Sequence, residues 1–192
     1  MRVCVLWSGG KESALSCYRA MTQGYDVACL VTFILDSWPN LCHPLHLMPL
    51  QSEALGIPHQ IIHVGEPYLE GYRQALTKLK DSRNMQGIVA GDIWITEHRR
   101  WYESVCEGLG IEIILPLWSL QPYEILSELL SEGFRAVFTC VKRLWFDRAW
   151  IGQELDRNRL ETLKMICDKH RIDLCGERGE YHTMVIDGPI FE

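Results

Sequence analysis

Apolar, β-branched runs alternate with helical stretches along most of the 192-residue chain. Six runs are strand candidates: Arg2–Trp7, Val27–Leu35, Gln60–Val64, Gly87–Ala90, Glu112–Leu115 and Ala136–Val141. Helices are predicted between and after them at Glu12–Met21, Leu47–Leu55, Tyr68–Lys80, Glu97–Gly108, Pro122–Leu130 and Arg157–His170. Continuous hydrophobic strands separated by helices are typical of a parallel sheet covered on both faces. We therefore expect an α/β fold built on a five-stranded parallel sheet.

The chain shows one soft boundary, near Pro116–Gln121, after the fifth strand candidate. We predict a larger domain at residues 1–118 and a smaller C-terminal α/β lobe at residues 119–192. In open parallel sheets, ligands bind beyond the carboxyl ends of the strands. Residues 8–13 and 91–92 both follow strand candidates, so the chemistry is expected along that edge of the sheet.

Composition narrows the class of protein. The hydrophobic fraction of 47% and charged fraction of 23% are those of a globular chain with a substantial core. The net charge of −6 and the absence of a basic run longer than Arg99-Arg100 argue against a domain that binds nucleic acid directly. No apolar stretch approaches a membrane span or the core of a secretion signal, which predicts a cytoplasmic protein. The eight cysteines form no C-x-x-C pair and are expected to be free thiols.

The first informative motif is the sequence SGGKES, at Ser8–Ser13, where a strand candidate meets a helix candidate. A glycine-rich turn at a helix N-terminus presents unpaired N–H groups, a natural site for phosphate. It is not a Walker A loop, because Val5 stands where that motif needs glycine and Glu12 where it needs a hydroxyl. The alternative is a tight turn capped by Ser8 with Lys11 and Glu12 in solvent.

The second informative motif is CGERGEYHTMVIDGPIF, which begins at Cys175 and contains a strand-like segment at Met184–Ile186. Its carboxylates, Glu177 and Glu180, lie among glycines that allow a ligand to approach the backbone closely. Closely spaced acidic groups can bind magnesium or an amine. The alternative is a polar hairpin at the chain end.

The SGGKES sequence resembles the S-G-G-x-D-S PP-loop of ATP pyrophosphatases of the adenine nucleotide α-hydrolase type, with Glu12 in place of the aspartate. That resemblance implies a Rossmann-like fold and cleavage of ATP between its α and β phosphates. Two further stretches resemble the diphthine–ammonia ligase family, and with the loop they span nearly the whole chain in order. The matching residues are Gly91, Asp92, Ile93, Arg99, Glu103, Cys106, Pro116, Leu117, Trp118, Gly176, Glu177, Gly179, Glu180, Tyr181 and Thr183.

The resemblance implies an AMP-forming amide ligase that uses ATP, Mg²⁺ and ammonia. A substrate carboxylate would be adenylated, and ammonia would then displace AMP. The implied nucleotide-binding residues are Ser8, Gly9, Gly10, Lys11, Glu12, Ser13, Thr32 and Gly91, with adenine near residues 31–33. The implied catalytic residues are Lys11, Asp92, Glu177 and Glu180, with Glu12 and Asp92 toward Mg²⁺. The implied substrate-binding residues are Arg99, Glu103, Tyr181, His182 and Thr183.

The substrate is left open. Family members that act on diphthine in elongation factor 2 tend to read E-G-G-E-[YF]-E-T, whereas this chain has Arg178 and His182 in that signature. A branch with histidine at the latter position is associated with corrinoid metabolism. We therefore keep three hypotheses: diphthine–ammonia ligase, a ligase of corrinoid salvage, and an ATP-binding regulatory protein without turnover. Roles for His43 and His46 and a homodimeric state are also left open.

Overall fold

A computed structural model describes residues 1–36 and 42–192. In this part of the chain, the strands are β1 (Arg2–Leu6), β2 (Asp26–Leu35), β3 (His59–Val64), β4 (Gly87–Val89), β5 (Glu112–Ile114), β6 (Arg135–Val141) and β7 (Tyr181–Asp187). The helices are α1 (Lys11–Thr22), α2 (Met48–Leu55), α3 (Tyr68–Arg83), α4 (Thr96–Cys106), α5 (Pro122–Ser131) and α6 (Arg157–His170).

The first five strands form one parallel sheet in the order β3-β2-β1-β4-β5. The predicted α/β, Rossmann-like fold with a five-stranded parallel sheet is thereby confirmed. Strands β6 and β7 pair antiparallel in a second, two-stranded sheet. The carboxyl ends of β1 and β4, which are followed by residues 8–13 and 91–92, lie side by side, because β1 pairs with both β2 and β4.

Two helices end at residues other than those predicted, because local turn geometry determines where each helix stops. Helix α3 continues past Lys80 to Arg83 and stops at Asn84, which adopts a left-handed conformation with φ of 52°. Helix α4 ends at Cys106, two residues before the predicted Gly108, because Glu107 takes an extended ψ of 125°. Periodicity locates the body of a helix and leaves such terminal turns undetermined.

One apolar cluster connects the parallel sheet with the C-terminal sheet. It includes Val5 of β1, Leu15 of α1, Leu126 of α5 and Phe138 of β6, each 1% exposed or less. Arg19 of α1 also donates to both carboxylate oxygens of Glu128 on α5 and to the carbonyl of Pro116. The smaller lobe therefore packs through a shared core. The division at residue 118 stays a prediction.

The eight cysteines, all within the described residues, are free thiols, as expected. In residues 1–36 and 42–192 no helix is long and apolar enough to cross a membrane.

Replacing Phe138 tests the core of the smaller lobe. Its ring is 1% exposed and contacts the rings of Trp150 and Tyr181 at centroid distances of 5.1 and 5.2 Å. Phe138→Ala is expected to lower the free energy of unfolding by about 3–5 kcal/mol, because it removes this contact and leaves a cavity. Met165→Ala, at a side chain 66% exposed, should change it by less than about 0.5 kcal/mol. Urea unfolding of both variants measures this, and equal effects would contradict the packing described.

Candidate functional site

A cavity of about 460 Å³ lies at the carboxyl ends of β1, β2 and β4 and is covered by the C-terminal segment. Many of the predicted site residues line it: Ser8, Lys11, Glu12, Ser13, Thr32, Gly91, Asp92, Glu177, Tyr181, His182 and Thr183. Gly9 and Gly10 complete the loop beneath it. The two sequence motifs, which are about 170 residues apart in the chain, therefore form one site.

The SGGKES loop is folded by its own serines and by glycine geometry. The hydroxyls of Ser8 and Ser13 lie 3.2 Å apart, and Ser13 Oγ donates to the carbonyl of Gly10 at 3.0 Å. Gly9 has φ of +74°, which disfavours any side chain there. Gly10 is the N-cap of α1 and offers no side chain to cap the helix. The amide of Lys11 donates to Thr183 Oγ1 at 3.4 Å, so an anion would draw on the other first-turn amides of α1.

Gln51 of α2 fastens this loop to the last strand. Its Nε2 donates to the carbonyls of Gly9 (3.1 Å) and Val185 (2.7 Å). Its Oε1 accepts from Trp7 Nε1 at 2.9 Å. The amide of Val185 donates to Gly9 O at 2.9 Å, so the loop and β7 are joined directly as well. These bonds fix the loop against the C-terminal segment.

Lys11 is 2% exposed and connects the loop with the C-terminal motif. Its Nζ lies 2.6 Å from Glu12 Oε1 and donates to the carbonyl of Cys175 at 2.7 Å. The same ammonium lies 4.4 Å from the centroid of the Tyr181 ring. A buried ammonium needs such partners, and together they hold its charge at the base of the cavity.

Asp92 is held by two side chains of α4. His98 Nδ1 lies 2.6 Å from Asp92 Oδ1, and Tyr102 donates its hydroxyl to Oδ2 at 2.8 Å. The bond to Asp92 raises the pKa of His98, which favours the imidazolium. Gly91 allows this segment to approach α1, because a Cβ there would lie 2.8 Å from the carbonyl carbon of Glu12.

Glu177 is the carboxyl most strongly affected by its surroundings in the cavity. Burial, followed by repulsion from Glu12 and Asp92, raises the pKa of Glu177 to about 7. The amide of Ile93 donates to its Oε2 at 3.3 Å and partly opposes that shift. Glu177 can therefore gain or lose a proton near neutral pH, which is the property required of a general acid or base.

Two histidines, His43 and His182, also line the cavity. The rings of His43 and His182 meet edge to face with centroids 5.1 Å apart. Burial lowers the pKa of His43 to about 4, with further contributions from His182 and Lys11. Burial and Lys11 also lower the pKa of His182. Both imidazoles are therefore neutral at neutral pH and add no charge beside Lys11.

An aromatic wall closes the cavity beside β2. Phe33 and Tyr72 have ring centroids 4.5 Å apart, and Tyr72 meets Trp101 at 5.5 Å. Val31 and Thr32 line the cavity next to this wall, and Thr32 donates to Trp7 O at 2.5 Å. Such a surface can stack a planar ring, and it lies where the resemblance implies adenine.

Besides Gly9 and Gly10, four of the candidate residues lie outside the cavity lining. Glu180 is 3% exposed, and its carboxylate accepts from the amides of Asp173 and Arg178. Arg99 and Glu103 pair with each other on α4 at 3.0 Å, with both side chains about half exposed. His46 is exposed in the turn before α2. The predicted roles of Glu180, Arg99 and Glu103 stay predictions.

Sequence reasoning did not identify four cavity or loop residues: Gln51, Tyr72, His98 and Tyr102. His98 and Tyr102 carry a usable signal, since their spacing of four places both on one face of α4. Gln51 and Tyr72 lie in helices with no local motif. Their roles follow from tertiary packing.

The cavity lining is suited to a nucleotide phosphate only if a bound cation adds positive charge to that of Lys11. Among its described residues, Lys11 is the one lysine or arginine, and it faces the carboxylates Glu12, Asp92 and Glu177. No group of three or more His, Cys, Asp and Glu side chains in residues 1–36 and 42–192 is arranged to hold a metal. Mg²⁺ is commonly held by substrate phosphates with one or two carboxylates, so Glu12 and Asp92 fit that mode.

The fold and the cavity define a Rossmann-like α/β protein in which a glycine-rich loop is joined to a C-terminal motif that leads into β7. Residues 1–113 match the sequence model of the diphthamide synthase N-terminal domain, and residues 121–192 match that of the diphthamide synthase C-terminal domain. The chain therefore belongs to the diphthamide synthase family.

Similar proteins include diphthine–ammonia ligases from several eukaryotes. The protein from Bos taurus is 26% identical over all of this chain and 81% of its own length. The protein from Danio rerio is 26% identical over 84% of its length. The protein from Schizosaccharomyces pombe is also 26% identical, but the match spans 35% of that longer chain.

A solved structure has the same fold. It is a crystal structure described as a predicted subunit of tRNA methyltransferase from Methanocaldococcus jannaschii, with a TM-score of 0.55 over 98% of each chain. At 20% identity this likeness concerns the fold alone.

The variant Glu177→Gln tests the raised pKa of Glu177 through the pH dependence of the free energy of unfolding. The folded protein retains the Glu177 proton between the usual pKa of 4.5 and about 7, so its free energy of unfolding falls as pH rises through that interval. The glutamine variant cannot ionise there. The difference between wild type and variant should change by roughly 3 kcal/mol from about pH 4 to about pH 8. Urea unfolding across this range measures it, with the exposed Glu107→Gln as control, and parallel profiles for wild type and Glu177→Gln would contradict the shift.

Proposed function

We propose that the protein is an ATP-dependent, AMP-forming amide ligase that converts diphthine in elongation factor 2 to diphthamide. Family membership supports the reaction class. The observation that carries the proposal is the meeting of the SGGKES loop with Asp92 and Glu177 in one cavity. The loop suits the phosphates of a nucleotide, and the acidic side suits an amine.

The loop residues have defined tasks in this proposal. The first-turn amides of α1 and Lys11 stabilise the charge that develops on pyrophosphate as the substrate carboxylate is adenylated. Thr32 and the wall of Phe33 and Tyr72 hold the adenine. Adenylation is needed because a carboxylate is a poor electrophile, and the adenylate supplies a leaving group.

Glu12 and Asp92 would hold Mg²⁺ together with the nucleotide phosphates. The ion supplies positive charge that offsets the phosphates beside three carboxylates. His98 and Tyr102 keep Asp92 oriented, because each occupies one of its two oxygens. The same two bonds keep the Asp92 side chain largely out of solvent, at 13% exposure.

Glu177 is the proposed acceptor of the proton that ammonia must lose. Its pKa of about 7 allows it to be ionised in part at neutral pH and to accept a proton from ammonium. Tyr181, His182 and Thr183 then border the acyl group of the substrate. Elongation factor 2 and ammonia are the proposed partners, in the cytoplasm.

Lys11→Met is expected to lower the rate of AMP formation by about 10²–10³-fold, because the variant loses a charged donor beside the departing pyrophosphate. Lys164→Met on α6, an exposed lysine remote from the cavity lining, should retain the wild-type rate. Circular dichroism must show both variants folded. A folded Lys11→Met protein with the wild-type rate would contradict the assigned role.

The reaction itself is tested with α-labelled ATP, Mg²⁺ and ammonium, with and without diphthine-bearing elongation factor 2. We expect labelled AMP only when the factor is present. Labelled ADP in place of AMP would exclude the PP-loop mechanism. ATP binding without AMP formation in the presence of the factor would favour the corrinoid-related alternative.

A further inference from the structure

Two turns lie side by side at one end of the β6–β7 sheet, at residues 142–145 and 176–179. The amide of Lys142 donates to the carbonyl of Glu180, and Lys142 Nζ donates to the carbonyl of Arg178, both at 2.9 Å. Glu177 in the second turn and His182 just after it line the cavity. The paired turns therefore form an edge of the cavity mouth.

These turns carry three exposed cations, Lys142, Arg143 and Arg178, with Leu144 between them in the chain. We name these four residues the cationic rim. Within residues 1–36 and 42–192, none of the three cations forms an ion pair with a carboxylate. The chain as a whole has a net charge of −6, so this positive cluster is opposite in sign to the chain.

The rim is held in place before any partner binds. The Arg178 guanidinium lies 4.8 Å from the Trp94 ring centroid, and Trp94 Nε1 donates to Asp173 Oδ2 at 3.0 Å. Lys142 Nζ lies 5.4 Å from the centroid of the Trp145 ring. Cations that rest on aromatic rings lose less conformational freedom when they bind an anion.

The chemistry of the rim favours an acidic protein surface over nucleic acid. Single-stranded nucleic acid binds to free aromatic faces on which bases stack. Here the rings of Trp94 and Trp145 are covered by the rim cations themselves. Leu144, which is 76% exposed, adds an aliphatic contact of the kind found in protein interfaces.

We propose that the cationic rim docks an acidic segment of the protein substrate beside the modified side chain that enters the cavity. This inference rests on the proposed function, in which that side chain belongs to a folded protein. Complementary charge would speed the encounter and set the orientation of the substrate at the mouth. The acidic lining inside the cavity would then bind the amine, and the cationic rim outside the cavity would bind the protein partner.

The test uses the full-length protein and diphthine-bearing elongation factor 2, with binding and AMP formation measured separately. Arg143→Glu and Arg178→Glu, combined in one chain, are expected to weaken binding of the factor about tenfold or more, because repulsion replaces attraction. The KM for ATP should not change. Lys164→Glu is the matched control, since Lys164 is also exposed and lies 5.2 Å from the Tyr123 ring, on helices outside the cavity. Thermal melting confirms that each variant is folded.

The two readouts separate the docking surface from the reaction. Factor binding that depends on the rim, without AMP formation, would support docking and overturn the proposed reaction. AMP formation with unchanged KM for the factor in the double variant would support the reaction and overturn docking. Failure of the wild type to bind the factor, or transfer RNA binding at the rim in its place, would also overturn docking. Wild-type affinity should fall as salt is raised.

Discussion

The buried ammonium of Lys11 is the constraint on which the site depends. Burial of a charge without partners is strongly unfavourable, and this one is met by Glu12 from its own loop and by Cys175 and Tyr181 from the C-terminal motif. The loop therefore depends on the C-terminal motif for its buried arrangement. Gln51 strengthens the same junction by bonding Gly9 and Val185.

This junction also decides the electrostatics of the cavity. Lys11 and Glu12 compensate each other, while Asp92 is satisfied by His98 and Tyr102. Among residues 1–36 and 42–192, the donor to Glu177 is the amide of Ile93 at 3.3 Å, so burial and then repulsion raise its pKa with little opposition. The pKa of Glu177 is therefore near 7 because the fold buries this carboxyl in the cavity beside Glu12 and Asp92.

The sequence predicted the parallel sheet well because buried parallel strands are continuous apolar runs, and all five lie within a residue or so of their predicted bounds. The sequence could not determine which residues of α4 face the cavity. On α4, His98 and Tyr102 face Asp92, while Arg99 and Glu103, about 100° further round, pair on the outer surface. Glu180 likewise belongs to the recognised signature, yet its carboxylate bonds to turn amides, a tertiary detail without a local signal.

Histidine at position 182 affects the charge of the cavity lining. A carboxylate there would add a fourth acid to the cavity lining that contains Glu12, Asp92 and Glu177, whereas His182 is kept neutral by burial and by Lys11. Among residues 1–36 and 42–192, the charged side chains at the loop end of the cavity are Lys11 and Glu12, which compensate each other. At the other end, Asp92 is paired with His98, and Glu177 is ionised above its pKa of about 7. Anionic phosphate and cationic ammonium thus have distinct ends of one cavity in the proposed reaction, and the neutral histidine preserves that separation.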